Sequence, residues 1–150
     1  MEKLKVIEAL RKAGLRATPQ RIAICELLTE SHAHPTATDI YVELKEQFPS
    51  LSLATIYNTL DVLVGIGLVN ALGSIGDDKV HFDADVSPHI NLACVKCHKI
   101  VDATSNFIKQ LNDEINKNSG FELFGSRILY YGHCPECQLK INQISVIQSI

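Results

Sequence analysis

Lys79–Asp102, KVHFDADVSPHINLACVKCHKIVD, gathers His81, Asp83, Asp85, His89, Cys94, Cys97, His98 and Asp102 into one short run. Within it Cys94-Val-Lys-Cys97 has the spacing of a metal knuckle, and Cys134-Pro-Glu-Cys137 repeats that spacing near the C-terminus. Two ligands on one tight turn supply half of a tetrahedral thiolate site. The pattern Cys-x2-Cys-x36-Cys-x2-Cys therefore predicts a structural Zn²⁺ held by Cys94, Cys97, Cys134 and Cys137. Buried thiols or a disulfide framework would be the plainer reading. A thioredoxin-like use fits badly, because two separate pairs suit one tetrahedron better than two redox centres. A nucleoside-deaminase site would need a His-x-Glu arm, and the only comparable arm reads His32-Ala-His34-Pro35. The remaining imidazoles and carboxylates are harder, mixed donors that suit iron, manganese or zinc in a more open site. Two metal sites of different character are expected.

Outward from this stretch, composition sets limits. The chain has 150 residues, 46% of them apolar and 21% charged, with a net charge of −3. That is ordinary globular material for one domain, or for two small ones that need a metal or a partner. Residues 1–67 carry 7 basic and 8 acidic side chains, and residues 68–150 carry 7 and 9. Neither half is a basic block, so any nucleic-acid contact must come from a local patch. The N-terminus, MEKLKVIEAL, is amphipathic and charged, with no signal peptide or membrane span. A cytoplasmic chain with reduced thiols is expected.

On the N-terminal side the periodicity is helical. Leu4, Val6, Ile7, Leu10 and Ala13 share a face that Gly14 ends. Thr18-Pro19 starts a second helix that buries Ile22, Ile24, Cys25, Leu27 and Leu28, which makes Cys25 a core thiol. Pro35 favours an extended His34, and Thr36-Ala-Thr-Asp39 is a capping box for a helix to about Gln47 with Ile40, Tyr41, Leu44 and Phe48 inward. Ser52 caps a fourth helix whose buried stripe is Leu53, Ile56, Leu60, Leu63 and Val64. Leu68–Leu72 and Val80–Asp83 read as two short strands. Helices followed by a two-stranded wing form a winged helix, and the small hydroxylated start of the fourth helix suits a major groove.

On the C-terminal side the character changes after residue 84. His89–Ala93 and Lys99–Ala103 look like strands around the first knuckle. Asn106–Lys117 is amphipathic, with Phe107, Ile108, Leu111 and Ile115 inward, and Phe121–Tyr131 is strand-like. Ile141, Ile144, Ile147 and Ile150 permit a helix in the tail. The predicted fold class is α+β: a winged-helix DNA-binding domain over residues 1–84, then a small α/β dimerisation domain over 85–150 stapled by zinc.

Read together, LRATPQR, HPTATDIY, SLATIYNTLDVL, Gly67-Leu68-Val69, HINLACVKCHKIVD and YYGHCPEC resemble the ferric uptake regulator superfamily of metal-dependent repressors over residues 10–137. Within it the chain is most similar to the peroxide-sensing branch. The resemblance implies a regulatory site of His34, Asp83, His89, Asn91 and Asp102, holding Fe²⁺ or Mn²⁺, with Zn²⁺ as a further occupant. Asp83 and Asp102 stand where iron-uptake regulators tend to carry Glu. Asn91 departs from the pattern, which usually has a second His there, so His81 is an alternative ligand. If it is not one, it is expected to face solvent. Ile90 and Ser126 stand where a third site would have Asp and His, and His98 replaces a Gly. His98 and His133 read as neighbours of the zinc cysteines or surface residues, and His32 as exposed.

The same resemblance implies a homodimer on a palindromic double-stranded operator, no membrane association and no enzymatic activity. Arg16, Thr18 and Arg21, with Lys12, are expected at phosphates, Tyr57 and Asn58 at the bases, and Thr55 among the DNA-binding residues. Metal-loss sensing, as in an iron regulator, is the alternative to peroxide sensing. A zinc-ribbon interaction module without a DNA role would leave the wing and recognition-helix matches without a purpose.

Overall fold

The computed structural model describes residues 3–147 except 32, 124 and 125. His32 and Ile150, and the side chains of Leu4, Ile144 and Ile147, lie outside the described residues. The chain divides into two compact units. One takes in the residues up to Gly73 with Val80–Val86, and the other Ser74–Lys79 with Ser87 onward.

The first unit runs α1 (Lys3–Lys12), α2 (Pro19–Glu30), α3 (Ala37–Leu44), α4 (Leu53–Gly65), β1 (Asn70–Gly73) and β2 (His81–Asp83). The starts of α2, α3 and α4 are written locally. Thr18 accepts the Arg21 N–H at 3.4 Å, with Pro19 at the first helical position. Thr36 and Asp39 close a reciprocal capping box, the Thr36 N–H donating to the Asp39 carboxylate at 2.9 Å. Ser52 accepts the Thr55 N–H at 3.1 Å. Two helix ends need glycine: Gly14 (φ 76°) and Gly67 (φ 71°) turn left-handed, so that the Leu15 and Leu68 N–H groups reach back to the Leu10 and Leu63 carbonyls.

Val6, Leu10, Ile24, Cys25, Leu28, Ile40, Leu44, Ile56, Leu60 and Leu63 interlock as the core, closed by Val69 and Phe82 of the wing. Leu53 departs from its expected place and is exposed, because it sits in the first turn of α4 ahead of the buried stripe. The third helix also stops earlier than expected, at Leu44, although Tyr41 and Phe48 still pack against the core. β1 and β2 pair antiparallel, Asn70 opposite Asp83, which completes the winged helix.

The second unit contains β3 (Ile90–Cys94), β4 (Ile100–Ala103), α5 (Phe107–Ser119), β5 (Ile128–Gly132) and α6 (Pro135–Ile147). Its sheet has the order β4-β3-β5. Asn91 faces Asp102 across the antiparallel β3–β4 pair, and Ala93 faces Tyr131 across the parallel β3–β5 pair. Of the strand expected over Phe121–Tyr131, β5 takes in Ile128 onward, where β3 offers partners; residues 124 and 125 lie outside the described residues. The turn Ser74–Lys79 groups with this unit: Ile75 is buried, and Gly76 lies against the Val95 carbonyl and the His98 ring.

One expectation for α5 fails in the single chain. Ile108 is buried, whereas Phe107, Leu111 and Ile115 are exposed, so nothing described within one chain covers the stripe. No helix among the described residues is long and apolar enough to cross a membrane.

Candidate metal centres and nucleic-acid interface

The four paired cysteines converge in the second unit. Cys94 closes β3, and the chain turns back at once: the His98 N–H donates to the Cys94 carbonyl at 2.8 Å, and the Cys94 N–H to the Lys99 carbonyl at 2.9 Å. His98 takes a left-handed backbone (φ 60°) to make this turn, the conformation in which a glycine would cost less. Cys134 precedes α6 and Cys137 lies in its first turn, while the Val95 N–H donates to the Gly132 carbonyl at 2.9 Å and ties the two knuckles together. All four sulfurs lie within 4.8 Å of one another, and Cys97 Sγ is 3.7 Å from Cys134 Sγ. A zinc tetrahedron with Zn–S of about 2.3 Å has sulfur–sulfur edges of about 3.8 Å, so the residues present fit the ion.

The electrostatics point the same way. The Cys134 N–H donates to Cys94 Sγ at 3.3 Å. That bond first, and the Cys97 N–H after it, lower the Cys94 pKa from 9.0 to about 5. Cys137 is pushed up to about 12, first by burial and then by hydrogen bonds with the Cys134, Cys97 and Cys94 thiols. Four thiolates therefore do not coexist here without a compensating cation. Cys25, in the core of the first unit, is also raised to about 12, by burial and then by Glu26, and is the inert thiol its helical position predicts.

Each unit also carries an imidazole facing a carboxylate. In the first, His34 Nε2 lies 3.9 Å from Asp83 Oδ1, with both side chains buried. His34 is not extended, as the following proline led us to expect, but left-handed with φ 51°. Tertiary contacts override the local preference. The His34 carbonyl accepts from His81 Nδ1 at 2.9 Å, the Pro35 carbonyl accepts from the Phe82 N–H at 3.1 Å, and Thr36 bridges to His81. A non-glycine residue in this region stores of the order of 1–3 kcal/mol and persists only where its surroundings hold it. His81 is accordingly 7% exposed, not solvent-facing, and its Nδ1 proton is committed to holding His34.

In the second unit, His89 Nε2 lies 3.7 Å from Asp102 Oδ1 and 3.0 Å from Asn91 Nδ2. His89 Nδ1 donates to the Ser87 carbonyl at 2.8 Å, which in the neutral imidazole leaves Nε2 as the lone-pair nitrogen. Sequence reasoning missed this contact because it uses the Ser87 backbone carbonyl, which any residue there would supply; hydrogen-bonded outer partners of this kind fix the tautomer of metal-binding imidazoles. Asp102 is the exposed member of the set, whereas His89 and Asn91 are buried. Half-buried His98 and exposed His133 flank the cysteines.

The expected DNA-contacting residues all belong to the first unit. Tyr57 and Asn58 are exposed on α4, and Thr55 Oγ1 lies 3.0 Å from Ser52 Oγ. Thr59, one turn on, is buried and donates its hydroxyl to the Thr55 carbonyl at 2.7 Å. Lys12 and Arg16 are exposed; Arg21 is half-buried, and its guanidinium donates to the Arg16 carbonyl at 3.1 Å. Between α1 and α2 lies an open cleft of about 580 Å³ lined by Arg11, Gly14, Leu15, Arg16, Ala17, Thr18 and Pro19. Arg11 escaped the sequence reading, although it adjoins Lys12 in the last turn of α1.

The sequence matches the ferric uptake regulator family over residues 12–131. The peroxide-responsive repressor PerR of Staphylococcus epidermidis is 42% identical over 136 residues, 91% of this chain and 90% of that protein. Among solved structures, the ferric uptake regulator of Pseudomonas aeruginosa with manganese superposes with a TM-score of 0.72 at 28% identity, covering 87% of this chain and 98% of that one. PerR of Streptococcus pyogenes, a protein of peroxide sensing and gene regulation, gives 0.52 at 35% identity over 91% and 92% of the two chains.

Proposed function

Because the chain belongs to the ferric uptake regulator family, we propose that it is a peroxide-responsive, metal-dependent transcriptional repressor that binds a palindromic operator as a homodimer in the cytoplasm. The observation that carries this reading is the split donor set. His34 faces Asp83 in the DNA-binding unit, and His89 faces Asp102 beside Asn91 in the other. A divalent ion held by these donors would favour the state of the protein that binds a palindromic operator. Metal and operator then favour the same state and strengthen each other's binding.

The thiolate zinc would hold the dimerisation unit in shape. The uncovered stripe of Phe107, Leu111 and Ile115 is the kind of surface a second copy buries. Arg11, Lys12, Arg16 and Arg21 would meet phosphates, and Thr55, Tyr57 and Asn58 the bases. At the regulatory site His34, Asp83, His89, Asn91 and Asp102 would hold Fe²⁺, which would supply the redox chemistry by which H2O2 as oxidant could modify an imidazole ligand. His81 holds His34 and Ser87 holds His89 for that site. Loss of either imidazole would weaken metal binding and release the operator.

The test is operator binding by fluorescence anisotropy with Fe²⁺, with Mn²⁺ and without metal, before and after H2O2. Binding should need metal, and peroxide should abolish it for the Fe²⁺ form only. A protein that responds to chelation and ignores peroxide is an iron sensor; metal-independent binding refutes both readings.

A further inference from the structure

Asn91 lies on β3, the middle strand of its sheet, and is 2% exposed. Its amide is used on one side only. Nδ2 lies 3.0 Å from His89 Nε2, while Oδ1 is buried with no hydrogen-bond partner among the described residues. The orientation follows from His89. The Ser87 carbonyl, 2.8 Å from Nδ1, can only accept, so Nδ1 carries the proton. A neutral imidazole then presents a lone pair at Nε2, and of the two amide atoms only the NH2 can bond to it. Asn91 therefore occupies the electron pair with which His89 would bind a metal.

We infer that Asn91 is a two-position ligand: its NH2 caps His89 in the metal-free chain, and its amide turns over to give Oδ1 to a divalent ion when His89 binds one. The inference rests on the regulatory site proposed above. A lone pair serves one partner at a time, so the entering ion takes the acceptor away from the NH2. Without rotation, both ends of a buried amide would then be unpaired, with the N–H groups turned toward a cation. Rotation about the terminal torsion leaves one unpaired group instead of two and puts an oxygen on the ion. It requires no backbone movement, since that torsion is broad and roughly two-fold.

Asp102 is the cross-strand neighbour of Asn91, and its Oδ1 is 3.7 Å from His89 Nε2, so an oxygen from β4 already flanks the same lone pair. A neutral amide oxygen here makes the donor set richer in oxygen than an imidazole would. Carboxylate and carbonyl donors suit Mn²⁺, whereas imidazole suits Zn²⁺ and iron. Asn91 thereby sets which ion the site prefers, as well as whether His89 is free to bind it.

The test uses the full-length protein with its cysteine site filled by zinc, titrated with Mn²⁺ and separately with Zn²⁺ against a fluorescent chelator. Asn91→Leu removes cap and oxygen at similar volume and should weaken Mn²⁺ binding about tenfold or more, within the range seen when ligand-supporting groups are removed. Asn91→His should raise the preference for Zn²⁺ over Mn²⁺ by a similar factor. Mn²⁺ binding by Asn91→Leu that equals or exceeds that of the unmodified protein means the amide only caps His89, and overturns the inference. If Asn91→Leu does not fold, Asn91→His decides: an unchanged Zn²⁺ to Mn²⁺ ratio overturns it. Absence of any second ion in the unmodified protein would sink the regulatory-site reading instead, a result distinct from an ion that binds without regard to residue 91.

Discussion

Replacing His81 with Phe keeps a ring of similar size on β2 and removes the Nδ1 donor that the His34 carbonyl accepts at 2.9 Å. Two effects should separate. A buried carbonyl left without its donor costs about 1–3 kcal/mol of folding stability. His34, held at φ 51°, also loses the contact that pins it in a conformation costing about 1–3 kcal/mol. If the free variant relaxes from that conformation, metal binding must restore it. Regulatory-metal affinity then falls by the same amount, roughly 5- to 150-fold at 1.4 kcal/mol per factor of ten.

The assay is Mn²⁺ affinity of the zinc-loaded protein by chelator competition, alongside thermal unfolding. His81→Gln, which can still present an N–H to the carbonyl, should recover much of the affinity. A His81→Phe protein that binds Mn²⁺ as tightly as the unmodified chain would refute the reasoning. A His81→Gln protein as weak as His81→Phe would point to His81 giving its own nitrogen to the metal.

Cys97→Ser should lower bound zinc from about one ion per chain and cost dimer integrity, read by metal analysis and light scattering; a stable zinc-free dimer would count against the thiolate centre. Zinc affinity should rise with pH. Cys137, at about 12, must lose its proton on binding, so at least a tenfold gain per unit is expected between pH 6 and 8, whereas Cys94, at about 5, adds no further dependence there. A flat competition titration over that range would show that Cys137 is not a ligand. Arg21→Ala should weaken binding to all DNA and reduce its salt dependence, and Tyr57→Ala should relax sequence preference, both by anisotropy; unchanged operator binding in both would displace the recognition surface from α4.

What the sequence determined alone is what is written within a few residues. The caps at Thr18, Thr36 and Ser52 and the helix ends at Gly14 and Gly67 are settled by near neighbours, and the structure has each in place. The two Cys-x2-Cys pairs were legible for the same reason, since each turn presets half a tetrahedron; only β3–β5 pairing decides that the halves meet. The apolar period of α5 marked a stripe but not what covers it, because burial depends on partners that periodicity does not name. His34 shows the limit most sharply. Its proline neighbour argued for an extended backbone, and a hydrogen bond from His81, far along the chain, imposes a left-handed one. Likewise the spacing of His89 and Asn91 placed them on one face of a strand. That the amide of one occupies the lone pair of the other follows from the Ser87 carbonyl fixing the tautomer; the contact is only two residues away, but it depends on a bend of the backbone at Ser87–Pro88 that the alternating pattern of residues does not specify.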